Sequence, residues 1–440
     1  MAENSQKSPP LDEFVCAFNR YEAEVGAFAL KDDQGYPWWD MVRYRVQFAL
    51  CVERGLHGRP GVQPSKKLYR VHSFVNQTCI LLRDFARLYS PSVRKSRTLI
   101  ISRRDIDYLT EIAAAHTKQG LGLIFVSKSG DAPKPHVAIK SQSLQFFTRL
   151  AQRMQRVPPE VVQEARRLSD GICTRFDSNL DIFGLISAKY REELVARKLW
   201  SFILKRAPTV ERVIYVNDDT LKSLVFLARA RGIDTEEVQH AYMGKGHIGF
   251  SYPPLEDTLA TLPKRVIITR DTGDITYPVE KVVRPQRAIR RASVARDIDV
   301  LIASSPSRQD ETVAVISALV GRGLRLAVKL HPAEMKQHAK VAAQFRAEEV
   351  AIYAGDVDFC DLAWRARLFI PINAASTTAF EAAEMQAKVV LVDFGGVKTT
   401  TVSDSVASAR ATSVQDLFCV VEAQLSGAET EIGRSGEVKI

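Results

Sequence analysis

The last third of the chain alternates between short apolar segments and segments with helical periodicity. Strands are predicted at 299–303, 325–330, 350–353, 368–372 and 388–393, with helices between them and a last helix at 414–425. Strands that alternate with helices form a parallel, doubly wound sheet, because each return to the same sheet edge needs a crossover connection. Ligands of such sheets bind at the carboxyl ends of the strands. The alternation therefore predicts an α/β domain with its site at that edge.

The middle of the chain contains a similar unit. Residues 212–216 form a predicted strand, 217–220 a turn rich in capping residues, and 221–231 a helix closed by Gly232. Further strands are predicted at 98–102, 123–127, 136–140, 236–239, 265–269 and 281–283, and helical segments at 11–90 and 143–205. The sequence therefore predicts an α/β protein with two Rossmann-like α/β/α domains that face a central cleft, with extra N-terminal helices.

A chain of 440 residues is longer than a single hydrophobic core usually accommodates, so two domains are expected. We predict a disordered start at 1–10, a first domain at 11–285, a basic linker at 286–297, a second domain at 298–425 and a loose tail at 426–440.

The chain is basic, with 61 lysines and arginines against 51 acidic residues and a net charge of +10. Basic residues cluster at 94–97, at 103–104 and at 281–296. These clusters are either ordinary solvated faces or contacts to an anionic membrane surface, to an anionic donor or acceptor, or to nucleic acid. Nucleic acid is the weakest of these, because no zinc-finger, RNP-like or heptad pattern accompanies the charge. No nucleic-acid partner is expected.

The expected location follows from what the sequence lacks. No apolar run approaches the roughly 18 residues that span a bilayer, and the polar start has no apolar stretch of a secretion signal. The cysteines are scattered, without metal-ligand spacing. We expect a cytoplasmic protein, with the inner face of the cytoplasmic membrane as the place of any peripheral contact.

Polar side chains follow three predicted strands of the second domain. They are Ser304 and Ser305 after the first strand, Lys329 and His331 at the second, and Ser376, Thr377, Thr378 and Glu381 after the fourth. A helix start presents free N–H groups and a favourable dipole to an anion, and Lys329 beside His331 adds a cationic contact. Ordinary helix capping and a structural histidine are the alternatives. Because carboxyl ends of parallel strands share one edge, the three groups together favour a nucleotide site.

The loop after the strand at 236–239 is rich in glycine and histidine. It contains Gln239, His240 and His247, with three glycines between 244 and 249. Glycines allow the backbone to approach another group closely. A plain flexible loop is the alternative.

The turn at 217–220 carries two carboxylates, Asp218 and Asp219. One of them is expected to cap the following helix, which leaves the other available as a general base or a nucleophile. Asp-x-Asp pairs at 105–107, 297–299 and 356–358 arise often by chance, and none is assigned to a metal. The sequence has no Walker-type loop.

Three segments give the chain a resemblance to the bacterial glycosyltransferases of the GT-B fold that build capsules and O-antigens. They are the loop at 238–253, Lys-Leu-His-Pro at 329–332 and Ser-Thr-Thr with its glutamate at 376–381, in the order expected of that group. The chain is most similar to members that use CMP-activated Kdo or sialic acid. Where the group's loop reads Gln-His-Gly, this chain has Ala241.

The resemblance implies an enzyme that transfers an acidic ulosonic sugar (Kdo) from CMP-Kdo onto a bacterial surface polysaccharide or a lipid-linked glycan. The first domain would hold the acceptor and the second the nucleotide sugar. His331 and residues 376–378 would hold the donor phosphate, Glu381 the ribose, and Gln239 and His240 would line the sugar side. The resemblance also implies transfer without a metal ion or other cofactor. Positive charge near the cleft would then neutralise the leaving nucleotide.

The predicted catalytic carboxylate is Asp219, with Asp218 next, and His240 is the third residue assigned to catalysis. Glu237 and His247 are the reserve candidates. Both aspartates follow a strand of the first domain, where acceptor-side groups would face the donor.

Arg103 and Arg104 are predicted to bind the carboxylate of an acidic sugar. A second hypothesis is a polyol-phosphate transferase that uses CDP-glycerol, in which histidines would carry the chemistry. A third is a non-catalytic glycan-assembly subunit, against which the intact polar strand ends argue. The acceptor, the linkage and the stereochemical outcome are left open.

Overall fold

The computed structural model describes most of the chain. The described residues are 10–56, 67–102, 107–118, 122–127, 136–216, 221–239, 247–255, 259–268, 279–283, 295–306, 308–331, 334, 349–353, 357–373, 376–394 and 403–427. Of the predicted domain limits, most of 1–10, 286–297 and 426–440 lies outside these ranges, so the domain limits stay a prediction.

The first sheet has seven strands in the order β3-β2-β1-β4-β5-β6-β7. Its strands are β1 (Ser96–Ile101), β2 (Gly122–Ser127), β3 (Val137–Lys140), β4 (Arg212–Val216), β5 (Asp234–Val238), β6 (Arg265–Ile268) and β7 (Glu280–Val283). Every pairing described between them is parallel. The order reverses between β1 and β4, as it does in the Rossmann fold, whose strand order is 3-2-1-4-5-6.

The second sheet has six strands in the order β10-β9-β8-β11-β12-β13, again with parallel pairings. Its strands are β8 (Ile298–Ala303), β9 (Leu326–Lys329), β10 (Val350–Tyr353), β11 (Ala366–Pro371), β12 (Lys388–Val392) and β13 (Ala407–Ala411). Counted from β8, this is the same 3-2-1-4-5-6 order, with its reversal between β8 and β11. The prediction of a GT-B-like fold with two Rossmann-like α/β domains is confirmed.

Helices connect the strands and extend the first domain. In the first part of the chain they are α1 (Leu11–Glu24), α2 (Trp38–Glu53), α3 (Lys67–Arg87), α4 (Pro91–Arg94), α5 (Asp107–Lys118), α6 (Ser141–Ala151), α7 (Pro159–Arg175), α8 (Ile182–Arg206) and α9 (Lys222–Arg229). The second part has α10 (Gln309–Leu319), α11 (Phe359–Arg365), α12 (Thr378–Glu384) and α13 (Val414–Ser426). Short 3₁₀ turns lie at Ala27–Ala29, Gln152–Met154 and Asp404–Val406. Helices α1 to α4 precede the first strand, which confirms the extra N-terminal helices.

Both sheets are apolar on both faces, as buried parallel sheets require. In β8, Val300 and Ile302 belong to one hydrophobic cluster and Leu301 to the cluster on the opposite face, because successive side chains of a strand alternate in direction. In β1, Leu99 packs with one cluster and Ile100 with another. Continuous apolar runs therefore form these strands, and helices cover them on both sides.

A separate helical cluster is formed by α1, α2, α7 and α8 around Trp38, Trp39 and Tyr190. None of the helices in the described part of the chain combines the length and apolar character that a bilayer span requires.

Candidate functional site

The second sheet brings the polar strand ends predicted from the sequence to one edge. The Ser304 amide donates to the Lys329 carbonyl at 3.1 Å, which joins the ends of β8 and β9. The Ile372 amide donates to the Ala303 carbonyl at 3.1 Å, which joins the ends of β11 and β8. Residues that follow β9, β8 and β11 therefore lie side by side at the point where the strand order reverses. In open α/β sheets this point is where ligands bind.

A buried glutamate organises the β8 and β9 ends. The Ser304 hydroxyl hydrogen-bonds the carboxylate of Glu334 and accepts the His331 amide at 2.9 Å. The same carboxylate oxygen accepts the His331 amide at 3.2 Å, and the Glu334 amide donates back to the His331 carbonyl at 2.8 Å. Glu334 is 2% exposed, whereas the residue it fixes, His331, is exposed. The backbone of His331 is thus held from below while its side chain faces outward.

The hydroxyl cluster follows β11 and begins α12. The hydroxyls of Ser376 and Thr378 are 2.7 Å apart, and the Thr378 amide donates to the Ser376 hydroxyl at 3.3 Å. Thr377 occupies the N-cap position without a side-chain capping bond. Glu381 lies in the first turn of α12, and its amide donates to the Thr377 carbonyl at 3.1 Å. All four side chains are partly exposed at this edge.

Lys329 and Ser305 complete the predicted donor group. Lys329 ends β9 and is partly exposed, whereas Ser305 is buried at 5% exposure. The Ser305 carbonyl accepts the Arg308 amide at 3.0 Å at the start of α10. The structure therefore gathers the predicted donor residues at one sheet edge, with the two serines after β8 lying deeper than the rest.

Several residues predicted for the first domain lie outside the described residues: Asp218, Asp219, His240, Arg103 and Arg104. Their assignments stay predictions. The strands that precede them are described: β1 and β4 are neighbours, with Ile101 paired to Tyr215 at their carboxyl ends. The order of the first sheet reverses between these same two strands.

Gln239 and His247 are described at the sugar-side loop. Gln239 is buried at 4% exposure, and its backbone amide donates to the Ile267 carbonyl at 3.0 Å. His247 packs on Phe250 with their rings 4.8 Å apart. Gly249 has a φ of +90°, and a Cβ added there would come 2.8 Å from the ring of Tyr44. The close approach expected of this glycine loop is thus made to helix α2.

The reserve carboxylate Glu237 is buried near the end of β5. It accepts the Tyr215 hydroxyl at 3.4 Å, and burial together with this carboxylate raises the pKa of Tyr215 well above its usual value. Glu237 is 2% exposed. This pair is therefore a neutral hydroxyl held against a buried carboxylate.

A cavity of about 240 Å³ opens at the carboxyl ends of β1 and β2. Apolar side chains from both strands and from α6 and α8 line it, with Trp200 the largest. Its polar lining includes Arg45, Arg149 and Glu192. This volume lies below the roughly 300–1,000 Å³ of drug-sized ligand pockets, so the cavity is too small to enclose a whole ligand of that size.

Comparison with solved structures finds similar proteins at low identity. MurG of Acinetobacter baumannii is 13% identical with a TM-score of 0.40, covering 78% of this chain and 96% of its own. The UDP-GlcNAc 2-epimerase of Methanocaldococcus jannaschii is 10% identical with a TM-score of 0.41, covering 76% and 93%. Spinosyn rhamnosyltransferase SpnG complexed with thymidine diphosphate is 9% identical with a TM-score of 0.40, covering 77% and 92%.

No family model matches the sequence, and no curated protein sequence does. The fold assignment therefore rests on the strand order of the two sheets.

The functional residue that the sequence analysis missed is Glu334. It stands three residues after His331, so a carboxylate close to the His-Pro pair was visible in the sequence. Its burial against Ser304, thirty residues earlier in the chain, could be recognised only from the packing of β8 beside β9. The cavity was also missed, because its lining comes from six separate stretches of the chain.

Proposed function

We propose that this protein is a glycosyltransferase that uses a nucleotide-sugar donor. The observation that carries the proposal is the repeated 3-2-1-4-5-6 strand order, with the predicted donor residues on both sides of the reversal point in the second sheet. A Rossmann-like sheet binds nucleotides at this point. The hydroxyls of Ser376 and Thr378 and the side chains of Lys329 and His331 supply the polar contacts that a diphosphate or phosphate needs.

The proposed donor is CMP-linked, with Kdo as the sugar, as the resemblance implies. Lys329 and His331 would meet the phosphate, and Glu381 the ribose hydroxyls. Positive charge placed at the phosphate stabilises the negative charge that develops on the leaving nucleotide. In this proposal the protein's own cations serve that purpose, without a metal ion or another cofactor.

The proposed chemistry uses a carboxylate of the first domain. Asp219, or Asp218, would accept the proton of the acceptor hydroxyl in an inverting reaction, or attack the anomeric carbon in a retaining one. His240 and Gln239 would line the sugar side, and Arg103 and Arg104 would bind the carboxylate of an acidic sugar. Support for the aspartates and arginines comes from the strands before them, since β4 and β1 flank the reversal point of the first sheet.

The proposed acceptor is a glycan or a lipid-linked glycan, held on the first-domain side. The cavity at the ends of β1 and β2 supports this, because its apolar floor and the cations Arg45 and Arg149 suit part of an amphipathic, anionic acceptor. The proposal places the protein in the cytoplasm, at the inner face of the membrane during transfer.

Titration calorimetry with CMP, CDP, UDP, GDP and thymidine diphosphate tests the donor proposal. We expect CMP to bind most tightly, and His331→Ala and Ser376→Ala each to weaken binding by about 1.5–3 kcal/mol, the range for hydrogen bonds to charged groups. Ser426→Ala, at the far end of α13, is the matched control and should bind as the parent does. Unchanged affinity in both site variants would refute the assignment.

Transfer assays separate the alternatives. Asp218→Asn and Asp219→Asn are expected to bind nucleotide normally and, in at least one case, to lose most turnover. Near-normal turnover in both would place the catalytic carboxylate elsewhere. A phosphodiester product from CDP-glycerol would favour the polyol-phosphate transferase, and a chain that binds no nucleotide would favour the non-catalytic subunit.

A further inference from the structure

The exposed large apolar side chains of the described residues are concentrated in one region. They are Leu82 on α3, Tyr89 in the turn after α3, Leu150 near the end of α6, and Met154 in the 3₁₀ turn that follows, with exposures of 48–78%. Scattered exposed apolar residues need no explanation, but a contiguous group marks an interaction surface.

These side chains belong to two helical stripes that touch. On α3, Leu82 and Phe85 are three residues apart and so share a face of the helix, and Tyr89 follows in the turn after α3. Phe85 meets Phe147 of α6 with ring centres 5.8 Å apart, and meets Phe202 of α8 at 5.7 Å.

Tyr89 also packs on Phe202, at 6.3 Å. Leu150 and Met154 follow Phe147 at three and seven residues. We call this surface the α3–α6–α8 face.

The α3–α6–α8 face is surrounded by cations. Residues 141–156 contain Arg149, Arg153 and Arg156, all exposed, and no acidic residue. The second half of α8, residues 194–206, also lacks acidic residues and exposes Lys198 and Lys205.

On the adjoining part of α3, residues 81–87, the acidic residue is Asp84. It is buried at 1% exposure and forms ion pairs with Arg83 and Arg87. The face therefore presents positive charge around exposed apolar groups, without a solvent-facing carboxylate on these stretches.

The combination identifies the chemistry of the partner. An anionic phospholipid bilayer offers an extended negative surface with an apolar layer just beneath it, and amphipathic helices bind it through both. A nucleic acid offers the charge without a layer that would bury Leu82, Leu150 and Met154. An acidic protein could satisfy the charge, but the cations extend over three helices and so match an extended surface better.

We propose that the α3–α6–α8 face docks this protein onto an anionic phospholipid bilayer. The inference rests on the proposed function in one respect: docking would bring a lipid-linked acceptor to the cavity. The same two helices serve both, since Thr148 and Arg149 of α6 and Leu199 and Trp200 of α8 line the cavity. The cavity would then open close to the lipid head groups.

Vesicle co-sedimentation of the full chain tests the charge contribution. We expect binding to vesicles of phosphatidylcholine with phosphatidylglycerol, weaker binding at raised salt, and little binding to phosphatidylcholine alone. The variant Arg153→Gln/Arg156→Gln/Lys205→Gln, which spares the cavity, should bind on the order of 100-fold more weakly, from roughly fivefold per charge. The control Arg20→Gln/Lys31→Gln/Arg175→Gln removes three exposed charges from the other helical cluster and should bind as the parent does.

The apolar contribution is tested by Leu150→Ser/Met154→Ser, both exposed positions. This variant should still bind anionic vesicles at low salt. The fraction of protein that stays bound to them at raised salt should be lost. Equal losses in the site and control charge variants would overturn the proposal. So would a dimer in light scattering that the apolar variant converts to monomer, since the face would then join two copies, or binding to nucleic acid in place of vesicles.

Nucleotide titration without vesicles separates this inference from the proposed function. Normal nucleotide binding in variants that no longer bind vesicles would support the face. Vesicle binding by a chain that binds no nucleotide would sink the proposed function and leave the face standing.

Discussion

One buried carboxylate determines how the end of β9 is presented. Glu334 accepts hydrogen bonds from the Ser304 hydroxyl and from the His331 amide, and little of it reaches solvent. Buried donors that lose their acceptor bear the full cost of desolvation. The position of the exposed His331 ring therefore depends on a side chain that itself touches no ligand.

Replacing Glu334 by alanine should destabilise the protein by about 1–3 kcal/mol, because the buried Ser304 hydroxyl loses its carboxylate acceptor and the His331 amide loses one of its two acceptors. The proposed donor nucleotide should also bind more weakly, since the His331 backbone is held by fewer hydrogen bonds. Urea unfolding and titration calorimetry measure the two effects. Glu334→Gln keeps an acceptor oxygen and should recover much of both; an alanine variant with parental stability and affinity would show that the carboxylate positions nothing.

Among the elements, strands with dense apolar sequence were predicted closely, whereas β13, one edge strand of the second sheet, was missed. The strands at 212–216 and 350–353 have the predicted limits. Strand β13 (Ala407–Ala411) was not predicted, because alternation of alanine with serine and arginine gives little apolar pattern and only its pairing with β12 makes it a strand.

The donor edge followed from the alternation alone, since parallel strands bring their ends together. Contacts between distant elements, such as Glu334 with Ser304 or α6 with α8 at the cavity, have no local pattern and could not be predicted.

A buried ion pair connects α1 and α2 to the segment after the glycine loop. Arg43 contacts both carboxylate oxygens of Glu22, at 2.7 and 2.6 Å, and donates to the Ser251 carbonyl at 3.1 Å. Burial raises the pKa of Glu22, opposed by Arg43. Trp39 donates to the same carboxylate at 2.8 Å. The buried charges of Glu22 and Arg43 therefore compensate each other only while both side chains are present.

Arg43→Ala should destabilise the first domain by about 3–5 kcal/mol, because it leaves Glu22 buried without its counter-ion. Arg45→Ala, two residues along the same helix, is the control. Its ion pair with Glu192 is long, at 4.0 Å, and half exposed, so about 0–1 kcal/mol is expected. Denaturant unfolding measures both. The double variant Glu22→Gln/Arg43→Met should be less destabilised than Arg43→Ala; equal stability of the two single variants would contradict the argument.

At the scale of the whole molecule, the strand order 3-2-1-4-5-6 occurs in both sheets, and each sheet has its own hydrophobic core. The clusters built on β8 to β13 contain residues from 298 onward, and those built on the first sheet and its helices contain residues up to 282. Within the described residues, no hydrophobic cluster draws on both sheets. Cooperative unfolding follows contiguous packed cores, so the two halves are expected to behave as separate units.

Scanning calorimetry should therefore resolve two unfolding transitions in the full chain. If the donor nucleotide binds at the edge of the second sheet, as proposed, it should raise one transition and leave the other in place. A free concentration of 100 times Kd adds about 2.7 kcal/mol to the stability of the unit that binds. Arg43→Ala should lower the other transition alone, which assigns the two peaks independently of the ligand. A single transition that moves as a whole with both perturbations would show that the halves unfold as one unit, and that the packing within each sheet does not set the cooperativity of the chain.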